Sequence, residues 1–183
     1  MGKQKLRDYT KLLNRINLAL NNRYKIDTLG YIHSSEYNYP FKKITIGNNN
    51  HRRILISAGI HGDELAGVET ICTFLESSLY NSYLNLWDFI ILPCINPYGY
   101  EFNTRENQEQ IDLNRMFKVK SPPSEVKLSQ SILVKFHFNL TLELHEDCDS
   151  NGFYLFQKSN KPLGKELGHK IIESVKKIIP INL

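Results

Sequence analysis

Three short clusters of polar residues in the sequence could do chemistry, at residues 59–64, 96–115 and 143–147. The first cluster contains His61 and Glu64, and the third contains His145. Zinc accepts imidazole nitrogens and carboxylates, and a set of two imidazoles and one carboxylate leaves a coordination position for water, as catalytic sites do. We therefore predict that His61, Glu64 and His145 bind one divalent metal ion. The ligand types favour Zn²⁺ among the divalent ions that accept them.

Each of these residues also has a simpler interpretation. His-x-x-Glu pairs are common by chance, Glu64 could only stabilise the N-terminus of a helix, and His145 could be a packed core residue. Gly59 and Gly62 stand on both sides of His61. They favour the metal site, because they indicate a tight turn between a strand and a helix that a packing histidine does not need.

The second cluster offers groups that could bind and polarise a substrate. Arg105 could stabilise the oxyanion that forms when water attacks a carbonyl. Asn114 and Arg115 combine an amide with a guanidinium fork, and this pair is suited to holding a carboxylate. Asp112 could orient one of these side chains by hydrogen bonding. For each arginine the alternative is an ordinary position in a solvated loop.

Apolar patterning predicts the elements that must position these residues. Periodic apolar positions predict helices over 4–20, 64–79, 124–136 and 161–178. Apolar runs predict strands at Ile54–Ala58, Trp87–Ile95, Phe138–Leu144 and Gly152–Gln157, with two short strands within 26–46 and a long polar loop from Asn96 to Pro123. Strands that alternate with helices favour parallel pairing with helices on the faces of the sheet. The polar clusters then follow the carboxyl ends of strands, where ligands of such sheets bind.

Composition excludes several classes of protein. The chain has 183 residues, and 23 Lys+Arg against 19 Asp+Glu give a formal net charge of +4 without a basic stripe, so nucleic acid is not an expected partner. No apolar run approaches the roughly 20 residues of a membrane span. Three cysteines at long spacings predict no disulfide framework, and the N-terminus does not look like a secretory signal. We expect one cytoplasmic domain over residues 1–183.

Taken together, the motifs resemble the zinc carboxypeptidase family, the carboxypeptidase A-like metallopeptidases, which are related to succinylglutamate desuccinylase and aspartoacylase. The resemblance covers Ile54 to Phe156, and its motifs are residues 59–64, Asn96-Pro-Tyr-Gly99, Arg105, residues 112–115 and residues 142–145. It implies a three-layer α/β/α fold with a mixed, mostly parallel sheet.

The same resemblance implies a role for each site residue. His61, Glu64 and His145 would be the zinc ligands. Arg105 would contact the carbonyl and its oxyanion, and Asn114 and Arg115 would bind the terminal carboxylate of the substrate. The function predicted in this way is that of a zinc metallocarboxypeptidase-type hydrolase, which cleaves an amide bond next to a terminal carboxylate through metal-activated water.

The sequence departs from the family in one respect. The family's general base is a glutamate on a late strand, whereas Glu166 and Glu173, the only glutamates after Asp147, both fall in a predicted helix. We therefore expect a domain without the family's C-terminal segment, or a degenerate relative. Glu146 and Asp147, beside a proposed ligand, could serve as the base or could support that ligand, but ordinary loop carboxylates are the simpler interpretation of both.

Two alternative functions stay open at this stage. One is an amidohydrolase of acylated amino acids, similar to succinylglutamate desuccinylase and aspartoacylase. The other is a non-catalytic relative that binds zinc or a peptide. The expected partner is a peptide or an acylated amino acid with a free carboxylate, and the oligomeric state is not predicted.

Overall fold

The structure, a computed structural model, describes residues 4–33 and 36–182. Within these residues the chain forms five strands and five α-helices. In chain order they are α1 (Tyr9–Leu20), β1 (Lys25–His33), β2 (Asn38–Ile46), β3 (Arg52–Ala58), α2 (Leu65–Glu76), β4 (Trp87–Leu92), α3 (Pro97–Phe102), α4 (Ser124–Lys135), β5 (Leu140–Leu144) and α5 (Pro162–Val175). None of the described helices is both long enough and apolar enough to span a membrane.

The strands form one mixed sheet in the order β1-β2-β4-β3-β5. β3 pairs in parallel with β4 and β5, whereas β2 pairs antiparallel with both β1 and β4. The predicted mixed sheet is therefore confirmed, with parallel pairing around β3. β1 and β2 cannot be parallel neighbours, because the four residues 34–37 that join them are too few for a crossover, which takes about a dozen.

Helices cover both faces of the sheet, as the three-layer prediction requires. Phe89 of β4 pairs with Ile54 of β3, and its ring lies 5.6 Å from that of Phe74 in α2. Leu55 follows Ile54 and so points to the opposite face, where it lines one pocket together with Leu133 of α4. Helix α2 thus covers one face and α4 the other.

The chain divides into two compact units, residues 1–146 and 147–183. The strand predicted at Gly152–Gln157 is wrong. In the second unit, Phe153 makes only a single parallel bridge with Ile181, because its backbone N–H donates to Pro180 and its carbonyl accepts from Asn182, with no longer ladder. The predicted last helix is present as α5.

Other predicted boundaries also differ from the structure: the first helix begins at Tyr9, not at residue 4, and the two strands predicted as short within 26–46 each have nine residues. The strand predicted over Trp87–Ile95 ends at Leu92, and the next residue is Pro93, which has no backbone N–H for a ladder. The region predicted as a loop from Asn96 to Pro123 contains α3 and a short 3-10 helix at Leu113–Arg115. Both elements carry residues of the second polar cluster.

Candidate metal centre

The turn that carries His61 is held by contact between two backbones. Gly59 adopts a φ of 64°, a left-handed conformation that glycine takes without strain. A Cβ atom on Gly62 would lie 1.9 Å from the backbone carbon of Gly99 in α3, so a side chain does not fit there. Within this turn His61 is only 2% exposed, and Glu64 lies directly before the first residue of α2.

The three predicted ligands converge from two neighbouring strands. Glu64 Oε1 lies 2.5 Å from His61 Nδ1, and Glu64 Oε2 lies 2.7 Å from His145 Nδ1. One ligand atom from each residue can be chosen so that all lie within 4.8 Å of one another, and the two imidazole centroids are 5.3 Å apart. His145 lies beside the His61 turn because it follows β5, which pairs in parallel with β3, the strand before that turn. Two nitrogens and one carboxylate in this volume fit a divalent metal ion.

Asp112 adds a second carboxylate behind His61. Its Oδ1 atom lies 3.1 Å from His61 Nε2 and accepts the backbone N–H of Asn114 at 3.0 Å. A histidine that ligates a metal through one nitrogen usually donates its other N–H to a carboxylate or carbonyl, which fixes the tautomer and the ring orientation. The contact between His61 and Asp112 therefore fits a metal ligand better than a packing residue.

The charges of the cluster stabilise one another. Burial opposes ionisation of Glu64, but hydrogen bonds from His145 and His61 outweigh it and lower the pKa of this carboxyl to about 2. Burial also favours neutral His61, yet its contacts with Glu64 and Asp112 raise the pKa of the imidazole above its usual value. The pKa of Asp112 is lowered because, although burial opposes this, His61 and Arg105 stabilise its charge. The site thus keeps two carboxylates ionised next to two imidazoles.

The remaining predicted site residues surround this cluster. Arg105 donates to Asp112 Oδ2 through Nε and Nη2, at 3.3 and 3.2 Å, and to Glu64 Oε1 through Nη1 at 3.4 Å. The Nε atom of Arg115 lies 3.9 Å from Asp112 Oδ2, and 75% of the Arg115 side chain is exposed. Asn114 donates its backbone N–H to Asp112, and its side-chain amide does not make this contact. Arg105 therefore belongs to the cluster, and Arg115 lies at its rim.

Sequence reasoning missed two functions of acidic residues at the site. The sequence predicts that Asp112 orients an arginine or Asn114, but it does not predict the contact between Asp112 and His61. Glu146 Oε2 accepts the backbone N–H of Ala66 at 2.9 Å, so this carboxylate stabilises the N-terminus of α2. The backbone N–H of Glu146 also donates to Glu64 Oε2 at 3.2 Å. The signal for Glu146 was its position directly after a predicted ligand.

A third residue at the site, Arg7, has no predicted function in the sequence. It lies before α1 and donates to the carbonyl oxygens of Gly62 and Tyr100 at 3.3 and 3.1 Å, and to Asn103 Oδ1 at 2.7 Å. These contacts tie the His61 turn to the segment that carries α3. Nothing in the local sequence around Arg7 indicates them.

Solved structures with a similar fold include several that are described as metallopeptidases or carboxypeptidases. They include a candidate metallopeptidase from Shewanella amazonensis, with a TM-score of 0.74 and 23% identity over 96% of this chain and 70% of that protein. A candidate carboxypeptidase from Burkholderia mallei has a TM-score of 0.75 and 17% identity over 92% of this chain and 47% of that one. The chain thus spans less than half the length of the Burkholderia protein.

A third solved structure, bovine thrombin-activatable fibrinolysis inhibitor in complex with tick carboxypeptidase inhibitor, has a TM-score of 0.71 and 20% identity over 96% of this chain and 73% of that protein. The fold is therefore that of the metallocarboxypeptidases, here with a His-Glu-His cluster as a candidate metal site.

The family follows from the sequence comparison. Residues 50–176, well over half of the chain, match the succinylglutamate desuccinylase/aspartoacylase catalytic domain. The chain belongs to this family. No protein of curated function matches the chain by sequence.

Proposed function

We propose that the chain is a zinc-dependent hydrolase that cleaves an amide bond next to a carboxylate. The observation that carries this proposal is the convergence of His61, Glu64 and His145, with Asp112 behind His61. A divalent metal held by the three ligands would polarise the carbonyl under attack and lower the pKa of a bound water to about 7.

The residues of the chain have distinct parts in this proposal. When a metal ion is bound, a proton on Nε2 donated to Asp112 would leave the lone pair of His61 Nδ1 to ligate the ion beside Glu64. Arg105 presents a fixed positive charge beside Glu64, where it can stabilise a carbonyl oxygen that gains negative charge. Arg115, which is exposed, is available with Asn114 to bind the carboxylate of a substrate.

Two substrate classes offer a carboxylate next to an amide. The family takes its description from enzymes of acylated amino acids, and this favours an N-acyl amino acid as the substrate. A peptide that loses its C-terminal residue is the second candidate. It is favoured by the metallocarboxypeptidase fold and by the motif Asn96-Pro-Tyr-Gly99. Asn96 of this motif is the N-cap of α3, since its Oδ1 atom accepts the backbone N–H of Gly99 at 2.8 Å.

Metal content and turnover together test the proposal. The wild-type chain should bind one equivalent of Zn²⁺, and His61→Ala and His145→Ala should each lose stoichiometric binding. His51→Ala, which removes an exposed histidine outside the cluster, is the matched control and should keep it. Unchanged metal content in either ligand variant rejects the site.

Hydrolysis is then measured on a panel of N-acyl amino acids and of blocked dipeptides with the same C-terminal residue. Turnover of the first set alone supports an amidohydrolase, and turnover of the second set supports a carboxypeptidase. Zinc binding without turnover of either set contradicts a catalytic function for this chain and leaves the binding relative as the explanation.

A further inference from the structure

Arg105 and Asp112 belong to one loop, and a tight turn from Asn107 to Ile111 lies between them. The backbone N–H of Asn107 donates to the carbonyl oxygen of Ile111 at 3.1 Å, and that of Gln110 donates to the Asn107 carbonyl oxygen at 3.0 Å. Arg105 comes two residues before this turn and Asp112 directly after it, and their side chains are bonded to each other. The turn therefore closes the loop that brings this guanidinium and this carboxylate together at the candidate metal centre.

The side chain of Asn107 holds the turn closed. Its Oδ1 atom accepts the backbone N–H groups of Glu109 and Ile111, at 3.0 and 3.1 Å, and the residue is buried. Gln110 has a φ of 60°, a left-handed conformation that costs free energy for a residue with a side chain and persists where surrounding contacts enforce it. The conformation of the turn thus depends on the Asn107 side chain more than on the backbone preferences of the residues that form it.

A buried carboxyl group of helix α4 fixes the orientation of the Asn107 amide. Asn107 Nδ2 donates to Glu125 Oε1 at 3.1 Å, and Glu125, in the first turn of α4, is only 4% exposed. Because Oδ1 of the amide accepts the backbone N–H groups of the turn, Nδ2 must find its acceptor elsewhere. A buried amide donor without an acceptor is costly, so Glu125 favours this single arrangement of the turn.

We propose that Glu125 and Asn107 are positioning residues for the candidate metal centre. Acting through the turn, they hold Asp112 in contact with His61 and keep Arg105 bonded to Asp112. The inference rests on the proposed function for the presence of the metal ion. It goes beyond that function because it gives a part in metal binding to α4, a helix that contributes none of the three proposed ligands.

Zinc affinity and stability, measured separately, test the inference. Glu125→Leu leaves Asn107 Nδ2 without its acceptor, and Asn107→Ala removes the amide. Each variant should therefore bind zinc about tenfold more weakly in competition with a chromophoric chelator, the factor that corresponds to one lost hydrogen bond. Glu125→Gln keeps an oxygen atom that can accept from Asn107 and should keep wild-type zinc affinity. Ile132→Val, which trims a buried side chain about two turns further along α4, should lower the free energy of unfolding in urea without changing zinc affinity.

A double-mutant cycle separates positioning from general destabilisation. If Glu125 acts through Asp112, Glu125→Leu should have little further effect on zinc affinity in Asp112→Asn protein, although it still lowers stability. Asn107→Ala takes the place of Glu125→Leu in the cycle if the leucine variant does not fold.

Three outcomes overturn the inference: equal losses of zinc affinity in both backgrounds, wild-type zinc affinity in folded Glu125→Leu and Asn107→Ala, or a loss in Glu125→Gln as large as that in Glu125→Leu. A wild-type chain that binds no zinc overturns both the inference and the proposed function. The expected pattern of zinc affinities without hydrolysis of any substrate supports the inference and contradicts only the proposed function.

Discussion

Arg7 offers a sharp test of how the metal centre is held, because it reaches the His61 turn without contacting any proposed ligand. Its guanidinium donates to the carbonyl oxygen of Gly62, the residue directly after His61, and to that of Tyr100. We predict that Arg7→Ala weakens zinc binding although every proposed ligand is still present. Without Arg7, part of the free energy of metal binding would be used to order the His61 turn, and the measured zinc affinity would fall.

The size of the effect follows from the lost contacts. A hydrogen bond to a charged group contributes about 1.5–3 kcal/mol, and the three bonds of Arg7 include one at 3.3 Å and one that is exposed to solvent. We therefore expect Arg7→Ala to lower the free energy of unfolding by about 2 kcal/mol. If most of this loss falls on the His61 turn, zinc affinity drops about tenfold, since 1.4 kcal/mol corresponds to a factor of ten.

Two measurements separate this effect from general destabilisation. Zinc affinity is obtained by competition with a chromophoric chelator, and stability by urea unfolding of the metal-free chain. Arg15→Ala is the control, because Arg15 ties α1 to α2 through Glu69 and Glu76 and does not contact the turn. It should lower stability without changing zinc affinity. Arg7→Lys, which keeps the charge but loses the fork, should recover part of the affinity. An Arg7→Ala variant with wild-type zinc affinity refutes the reasoning.

Three further predictions concern the site and its support. Asp112→Asn should weaken zinc binding about 10- to 100-fold in the same competition assay, because the orientation of His61 depends on that carboxylate. Gly62→Ala should lower the free energy of unfolding by at least about 3 kcal/mol, because its methyl group would collide with the backbone of Gly99. Burial raises the pKa of the Glu125 carboxyl in the folded chain. Its negative charge therefore destabilises the fold once the pH exceeds the pKa of this carboxyl in the unfolded chain. Glu125→Gln should therefore raise the free energy of unfolding at pH 7, with a smaller gain near pH 4, as urea titrations at both values can show.

The sequence predicts those parts of the fold that local patterning determines. Apolar runs identify β3 and β4, because parallel strands buried on both faces need apolar residues at successive positions, whereas β5 is identified by alternation of apolar with polar residues. The order of strands is not encoded in any such run, since pairing joins residues that are distant along the chain. The same limit explains the wrong strand at Gly152–Gln157, which has the composition of a strand but no neighbour to complete a ladder.

The candidate site likewise contains residues that local sequence patterns identify and residues that they do not. His61 and Glu64 can be recognised together because they are three residues apart on one turn, and His145 because it follows an apolar run. The contacts of Arg7 join it to a residue 55 positions away, and no local pattern signals them. The Glu146 carboxylate, one of the candidates for the general base, instead accepts a hydrogen bond from the N-terminus of α2.

A single carboxylate joins the proposed metal ligation to the proposed recognition of substrate. Asp112 directs Oδ1 to His61 and Oδ2 to Arg105, and it also caps the short 3-10 helix that carries Asn114 and Arg115. The position of this one side chain therefore determines the tautomer of a proposed ligand, the placement of the cation proposed to stabilise the oxyanion, and the backbone that presents the carboxylate-binding pair. Because these three roles share one carboxylate, we expect substitutions of His61, Arg105 and Asp112 to be non-additive in both metal affinity and turnover.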